Sequence, residues 1–309
     1  MIRKDMLPDV WADNWQCLSP AQTITIGRNK KTVAVLCDPA DAPMFMLREH
    51  DGYTIMPDIE NLDIVAEPGS QLTLYRLQGM NTPERHITSL RLTMHDDTTV
   101  NMCTVTLGGN HVRNNIEVRM KGEGCTLQAD GLYLIDREQE CDNYIFVEHA
   151  KPHCQSRELY KGIVDDAARA RFNGHVLVQD GAVKTEAYQT NKNILLTKKA
   201  HVDTRPFLEI YNDDVKCSHG STIGQLDSQA LFYLMARGIC ERTAITMLSY
   251  AFCDEVIRGI EIEPLRDAVG DMVKKRLHGE LTPCAECALH CSNPCNGPEA
   301  NFHIDPDKL

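Results

Sequence analysis

From about Thr23 to Val215, apolar and polar residues alternate in short runs. Examples are Thr32-Val33-Ala34-Val35-Leu36, Ile116-Glu117-Val118-Arg119-Met120 and His175-Val176-Leu177-Val178. A period of two predicts half-buried strands, because successive side chains of a strand point to opposite faces. Pro68-Gly69, Gly108-Gly109, Gly122-Glu123-Gly124 and Asp180-Gly181 punctuate the runs as turns. No amphipathic helix is interleaved, which argues against a doubly wound α/β fold. A sandwich, a barrel and a β-solenoid all remain, because no sequence repeat of fixed period stands out.

After residue 225 the period becomes helical. Asp227 can cap a helix through Leu231, Leu234 and Met235 that Gly238 ends. Ala244, Met247, Leu248, Ala251, Phe252 and Val256 form a second apolar stripe, and Leu265, Val269, Met272, Val273 and Leu277 a third. The plain reading of these stripes is packing against the strand region. The sharper reading leaves one face for a partner protein. Residues 279–309 lose all periodicity and hold four prolines and four cysteines, as in an irregular tail that is unstructured or tied down by metal.

The chain has 309 residues, of which 42% are hydrophobic, enough for one large domain or two smaller ones. The formal net charge of −12 disfavours nucleic acid and anionic membranes as primary partners. No stretch approaches the roughly 18 apolar residues of a membrane span. Met1-Ile2-Arg3-Lys4-Asp5-Met6 lacks the apolar centre of a signal peptide, so the expected location is cytoplasmic. In that compartment disulfides are disfavoured, and clustered cysteines among the 13 present lean toward metal or redox chemistry.

Two clusters qualify. Cys217 and His219, in Lys216-Cys217-Ser218-His219-Gly220, sit two apart where the strands give way to the first helix. On an extended chain they face the same way, and a thiolate beside an imidazole suits iron, zinc or copper. One such pair supplies only two ligands. On the residues alone, a buried cysteine beside a backbone-bonded histidine is the more economical account. The second cluster is Cys284, Cys287, Cys291 and Cys295, spaced C-x2-C-x3-C-x3-C. Four thiols match structural zinc or an iron–sulfur cluster, and the spacing resembles the ferredoxin-type run without copying it. A polar group, Gln189 to Asn193 with His201 and Asp203, reads as side chains bonding turn backbone. Walker A, G-x-S-x-G, H-E-x-x-H and Rossmann patterns are missing, so any nucleotide chemistry must come from a partner. Asp96-Asp97 and Asp165-Asp166 read as solvated turns. Aromatic content of 6% does not favour a polysaccharide-cleaving solenoid.

Residues 187–239 read AYQTNKNILLTKKAHVDTRPFLEIYNDDVKCSHGSTIGQLDSQALFYLMARGI. This stretch resembles the core signature of the SufB/SufD family of iron–sulfur cluster assembly proteins. The K-C-S-H-G motif points to the SufD branch, since SufB-like chains carry E-H-E-A-T there. Ala251 to Ile257, A-F-C-D-E-V-I, is similar to the family's C-terminal helices. The likeness is strong over 187–278 and weaker but compatible over 22–186.

The resemblance implies a right-handed parallel β-helix followed by a small helical domain. The bounds it suggests are a lead-in at 1–21, a β-helix at 22–225, a helical ATPase-docking domain at 226–278 and the tail at 279–309. It implies a non-enzymatic scaffold that pairs with a SufB-type subunit or with itself and docks a SufC-type ABC ATPase. Leu231, Phe232, Arg237, Gly238 and Phe252 would serve the docking helices. Cys217 and His219 would hold a transient iron–sulfur cluster at the interface of two β-helices, which reverses the plainer account of that pair. Two departures follow. The long N-terminal helical region of typical members is missing from this sequence, as in short forms that pair with themselves. The SufB-type cysteine is replaced by Leu196-Thr197-Lys198 and Ala200-His201. The cysteine tail is foreign to ordinary members and could hold zinc or iron. The alternative is a zinc-stapled β-solenoid that binds partners without a role in clusters.

Overall fold

The computed structural model describes residues 21–41, 53–79 and 82–278. Fifteen strands, β1 (Gln22–Ile26) to β15 (Val215–Gly224), are followed by three helices. From the fourth strand onward the strands sort alternately into two parallel sheets, while the second and third both lie in the eight-stranded one. The seven-stranded sheet runs β1, β4 (Asn61–Ala66), β6 (Arg85–Met94), β8 (His111–Met120), β10 (Glu140–His149), β12 (Arg169–Val178) and β14 (His201–Ile210). The eight-stranded sheet runs β15, β13 (Thr185–Leu195), β11 (Gln155–Val164), β9 (Thr126–Ile135), β7 (Thr99–Thr106), β5 (Gln71–Gln78), β2 (Lys31–Cys37) and β3 (Thr54–Pro57). From β4 onward each strand pairs with the strand one full coil away, so the fold is a parallel β-solenoid with two strands to a coil; β3 is an extra edge strand beside β2. Glu140, for example, lies beside His111 on one side and Arg169 on the other.

Corners between strands are tight. Asn29, Asp97, Arg137, His153, Asp166 and Lys184 occupy the left-handed region there, which Asn and Asp tolerate best. The acid pairs Asp96-Asp97 and Asp165-Asp166 are such corners, as the sequence suggests. Leu62, Ile64, Leu92, Val118, Ile145 and Phe172 from one sheet meet Leu36, Leu74, Leu127, Tyr133 and Tyr160 from the other. Each fully buried side chain of this size contributes about 1.5–3 kcal/mol.

Two glycines fit reciprocally against tyrosines in this interior. Gly131 lies beside Tyr160, and Gly162 beside Tyr133, across the same strand pair. A Cβ on Gly131 would sit 2.3 Å from the Tyr160 ring, and one on Gly162 2.1 Å from the Tyr133 ring.

The helices are α1 (Ser228–Ala236), α2 (Glu241–Ile257) and α3 (Glu263–His278). Asp227 caps α1 by accepting from the N–H groups of Gln229 and Ala230. Gly238, at φ 87°, ends it. The apolar stripe of α3 packs as its period predicts. The buried face of α2 is rotated from the predicted stripe: Thr246, Ser249, Cys253, Val256 and Ile257 are inside, and Ala251 is exposed. Small side chains let α2 approach the sheet closely, and the Thr246 hydroxyl stays satisfied by donating to the Arg242 carbonyl, 3.1 Å away.

Helices α2 and α3 lie on the outer face of the eight-stranded sheet. Cys253, Val256, Leu265, Val269 and Val273 meet Tyr75, Leu77, Val105, Leu132 and Leu134 there. Where the helices cover it, that sheet is apolar on both faces, as from Leu132 to Ile135 of β9. Polar pins fix the layer. The buried Lys161 ammonium donates to the Phe252 carbonyl at 2.8 Å and pairs with Glu255 at 2.5 Å. Arg276 bonds Asp136 and Gln139 at 2.9 and 2.7 Å.

The interior also holds titratable groups. Burial pushes the Glu158 carboxyl up to about 8, even though Gln189 donates to it. Burial pushes the His149 imidazole down to about 4. Its Nε2 lies 2.9 Å from the Ser156 hydroxyl.

Two outcomes follow. Gly131→Ala should cost about 1–3 kcal/mol in chemical denaturation, because the enclosed Tyr160 ring has nowhere to move. An unchanged midpoint would contradict the packing. The folded chain binds the Glu158 proton more tightly than the unfolded chain, whose carboxyl titrates near 4.5. The stabilisation is therefore full below 4.5 and lost as pH rises toward about 8. His149 acts in the opposite sense, with stability lost as pH falls from 6.5 through about 4. Denaturation midpoints across pH should lose the alkaline slope in Glu158→Gln.

Candidate functional site

Strands β14 and β15 are the last of their sheets, and no further strand covers them among the described residues. The solenoid therefore presents an open end. Its edge backbone groups are a template for pairing with another chain. Residues of β15 are largely exposed, in contrast to every strand from β5 to β13.

Cys217 and His219 both project from the inward face of β15. Cys217 lies beside Ala187 of β13 and packs near Val176, Val178 and Leu208. His219 lies beside Gln189, one step further along. Two residues on, the Ser221 hydroxyl is 2.9 Å from the Thr204 hydroxyl of β14, which confirms that this face looks across the coil. Lys216 points the other way and pairs with Glu186 at 2.8 Å. Cys217 is half-buried, and burial raises its thiol. It stays protonated until a metal or a base takes the proton. His219 is exposed. The arrangement offers one soft and one borderline ligand at the mouth of a coil, with room for further ligands from outside.

Exposed apolar side chains also occur near this end of the solenoid, Tyr188 and Phe207 among them on the outer faces of their sheets. Tyr188, Phe207, Ile210, Tyr211 and Ile223 are all exposed. Helix α1, which follows β15 directly, has no buried residue. Phe232 is 73% exposed, and Tyr233 and Met235 are also open to solvent. Exposed apolar area of this kind marks an interaction surface. Of the residues expected to serve ATPase docking, Phe232, Arg237 and Gly238 are exposed and Leu231 is half-buried, all on α1 or its C-terminal end. Arg237 stacks 4.3 Å from the Tyr233 ring centre. Phe252 stands apart from them. It is half-buried in the seam between α2 and the sheet, with Lys161 4.6 Å over its ring.

The polar stretch from Gln189 corrects the sequence reading. Gln189, Asn191 and Asn193 are mid-strand and point into the solenoid, where all three are buried. Asn193 donates to Asn191 at 2.7 Å, Asn191 to the Tyr160 carbonyl at 3.3 Å, and Gln189 to Glu158 at 2.7 Å. The signal was present: Gln189-x-Asn191-x-Asn193 has the period of a strand face. Glu158 had no such signal. His201 is exposed at the start of β14, and Asp203 accepts from Arg205.

Among the described residues, no group of three or more His, Cys, Asp and Glu side chains is arranged to hold a metal ion. Cys284, Cys287, Cys291 and Cys295 lie outside the described residues. No helix among the described residues is long and apolar enough to cross a membrane.

Comparison with known sequences places this geometry. Residues 51–252 match the family described as SUF system FeS cluster assembly, SufBD core domain. The iron-sulfur cluster assembly protein SufD of Escherichia coli is 40% identical over 199 residues, covering 64% of this chain and 47% of that protein. A SufBD family protein of Mycobacterium leprae is 32% identical over 216 residues, 67% of this chain and 55% of the relative. One from Synechocystis is 31% identical over 225 residues, 73% and 47% of the two. The chain spans about half the length of the curated relatives it matches. With two thirds of its sequence inside the family's core domain and the solenoid in place, the chain belongs to the SufBD family of iron–sulfur cluster assembly proteins.

Proposed function

We propose that this chain is a scaffold on which a nascent iron–sulfur cluster is built at a seam between two solenoids. The observation that carries the reading is the shared inward face of Cys217 and His219 on a strand that no other covers among the described residues. A second solenoid laid against the open end would shield its exposed edge and supply the missing ligands. The partner is a SufB-type subunit or a second copy of this chain. Edge-to-edge pairing would continue both sheets across the seam.

The cluster is the cargo, and the chain's own part is to hold its ligands. The neutral Cys217 thiol becomes a ligand by giving up its proton to solvent as iron binds. The exposed His219 can turn one ring nitrogen toward the same atom. A SufC-type ABC ATPase is the proposed motor, docking on the open face of α1. Only Gln225 to Asp227 separate α1 from β15. Force applied to the helix by ATP binding would therefore reach the seam with little slack. Such coupling needs ATP to favour one of two arrangements of the paired solenoids.

In the complex reconstituted with the ATPase and the partner solenoid, His219→Ala and Cys217→Ser should leave assembly intact. Each should cut cluster formation by more than the roughly 10–100-fold that losing an outer partner of a ligand costs. Normal yield from both variants would remove the pair from the mechanism. Phe232→Asp should weaken capture of the ATPase by about 2 kcal/mol or more, as expected of an exposed aromatic anchor. Undiminished capture would move the docking site off α1.

A further inference from the structure

Behind His219 stands a column of polar side chains that the assembly reaction as described above does not use. Glu158, Gln189 and His219 occupy successive positions of one register across β11, β13 and β15. They share the inward face, each roughly 4.8 Å from the next along the ladder. Glu158 and Gln189 are each 1% exposed. The Gln189 amide donates its Nε2 to Glu158 Oε2 at 2.7 Å. That bond commits the nitrogen to the β11 side. Gln189 Oε1 is buried and has no hydrogen-bond partner, and neither has Glu158 Oε1. A buried acceptor left unmade costs about 1–3 kcal/mol, so it calls for an explanation.

Space for the amide is provided on purpose by the opposite sheet. A Cβ at Gly174 of β12 would fall 2.3 Å from Gln189 Nε2. Any other residue there would push the amide out of line. The next side chain of the column, on the open side, is His219, whose ring carries an N–H at neutral pH whichever tautomer it adopts.

We propose that Gln189, braced by Glu158, is the positioning residue for His219: its Oε1 accepts one ring N–H and so presents the other ring nitrogen to the seam. This rests on the reading of His219 as a cluster ligand. Histidines that bind metals almost always pass their second N–H to a carbonyl or carboxylate, which fixes the tautomer and the ring plane. Here the acceptor is an amide oxygen. Its own geometry is held by the carboxyl one coil further in. The pair Glu158 and Gln189 thus converts an exposed, rotatable imidazole into a directed one.

NMR of the imidazole nitrogens of His219 in the full chain, at neutral pH, tests this. The wild-type chain should show one tautomer with a slowly exchanging N–H. Gln189→Met, which keeps the length and loses the acceptor, should give a mixture of tautomers. Glu158→Gln, which can still accept from Gln189, should retain the single form. In the reconstituted complex, Gln189→Met should lower iron retention roughly 10- to 100-fold. Two tautomers already present in the wild-type chain would overturn the proposal whatever the variants do. So would equal tautomer populations in wild type and a folded Gln189→Met. His219→Ala separates the two readings: undiminished cluster formation there would end the ligand role, while the tautomer measurement alone decides the Gln189 contact.

Discussion

The whole structure depends on the parallel backbone ladder that joins each strand to the one a coil away. Because that ladder runs in register, every inward side chain stacks on its counterpart in the coil before and the coil after. Apolar columns satisfy the rule by packing. A polar residue satisfies it only if a neighbour can complete its hydrogen bonds. Near the start of the solenoid, Arg76 meets Asp58 at 2.9 Å and Thr88 at 3.0 Å, and His86 meets the same Asp58 at 2.8 Å. Burial alone would push the Asp58 carboxyl up, but Arg76 and His86 more than offset it and hold it low. Gln78, Thr106, Asn114 and Asn143 continue the pattern by bonding one another. Toward the other end, Glu158 has only an amide for company, and its carboxyl is held neutral instead.

The two sheets meet different fates on their outer faces. The eight-stranded sheet is covered by α2 and α3, which meet an apolar patch on its outer face. The seven-stranded sheet carries paired charges outside, such as Arg91 with Asp63 at 2.7 Å and Arg171 with Asp142 at 3.4 Å. Among the described residues the helices cover one flank and leave the β14–β15 end open. Such an end exposes both apolar side chains and backbone bonding groups.

The strand character of the region and the switch to helices could be read directly, since periods of two and 3.6 leave different marks on the sequence. The coil repeat could not. From β4 onward its length drifts from 26 residues, between Arg85 and His111, to 32, between Arg169 and His201. The backbone, not any particular side chain, maintains the register, so no fixed-period pattern survives. The face of α2 was misjudged because Thr246, Ser249 and Cys253 are buried for their size and not for their hydropathy. Cys217 and His219 were legible as a pair from their spacing. Gln189 was visible only as a polar residue in an alternating run. What could not be seen is which residues lie beside it: Glu158 and His219 are neighbours of Gln189 only through a ladder that brings positions about thirty apart into contact.

From β4 onward, the alternation of strands between sheets also limits how such a chain can change in length. A coil is a pair of strands, and removing one whole coil would return every later strand to its own sheet with its columns still aligned. Removing a single strand would swap the sheets for everything downstream. The surface shaped for α2 and α3 would then continue as the charged flank, and Lys161 would no longer find Phe252. Parity, more than size, is what insertions and deletions in this molecule must respect.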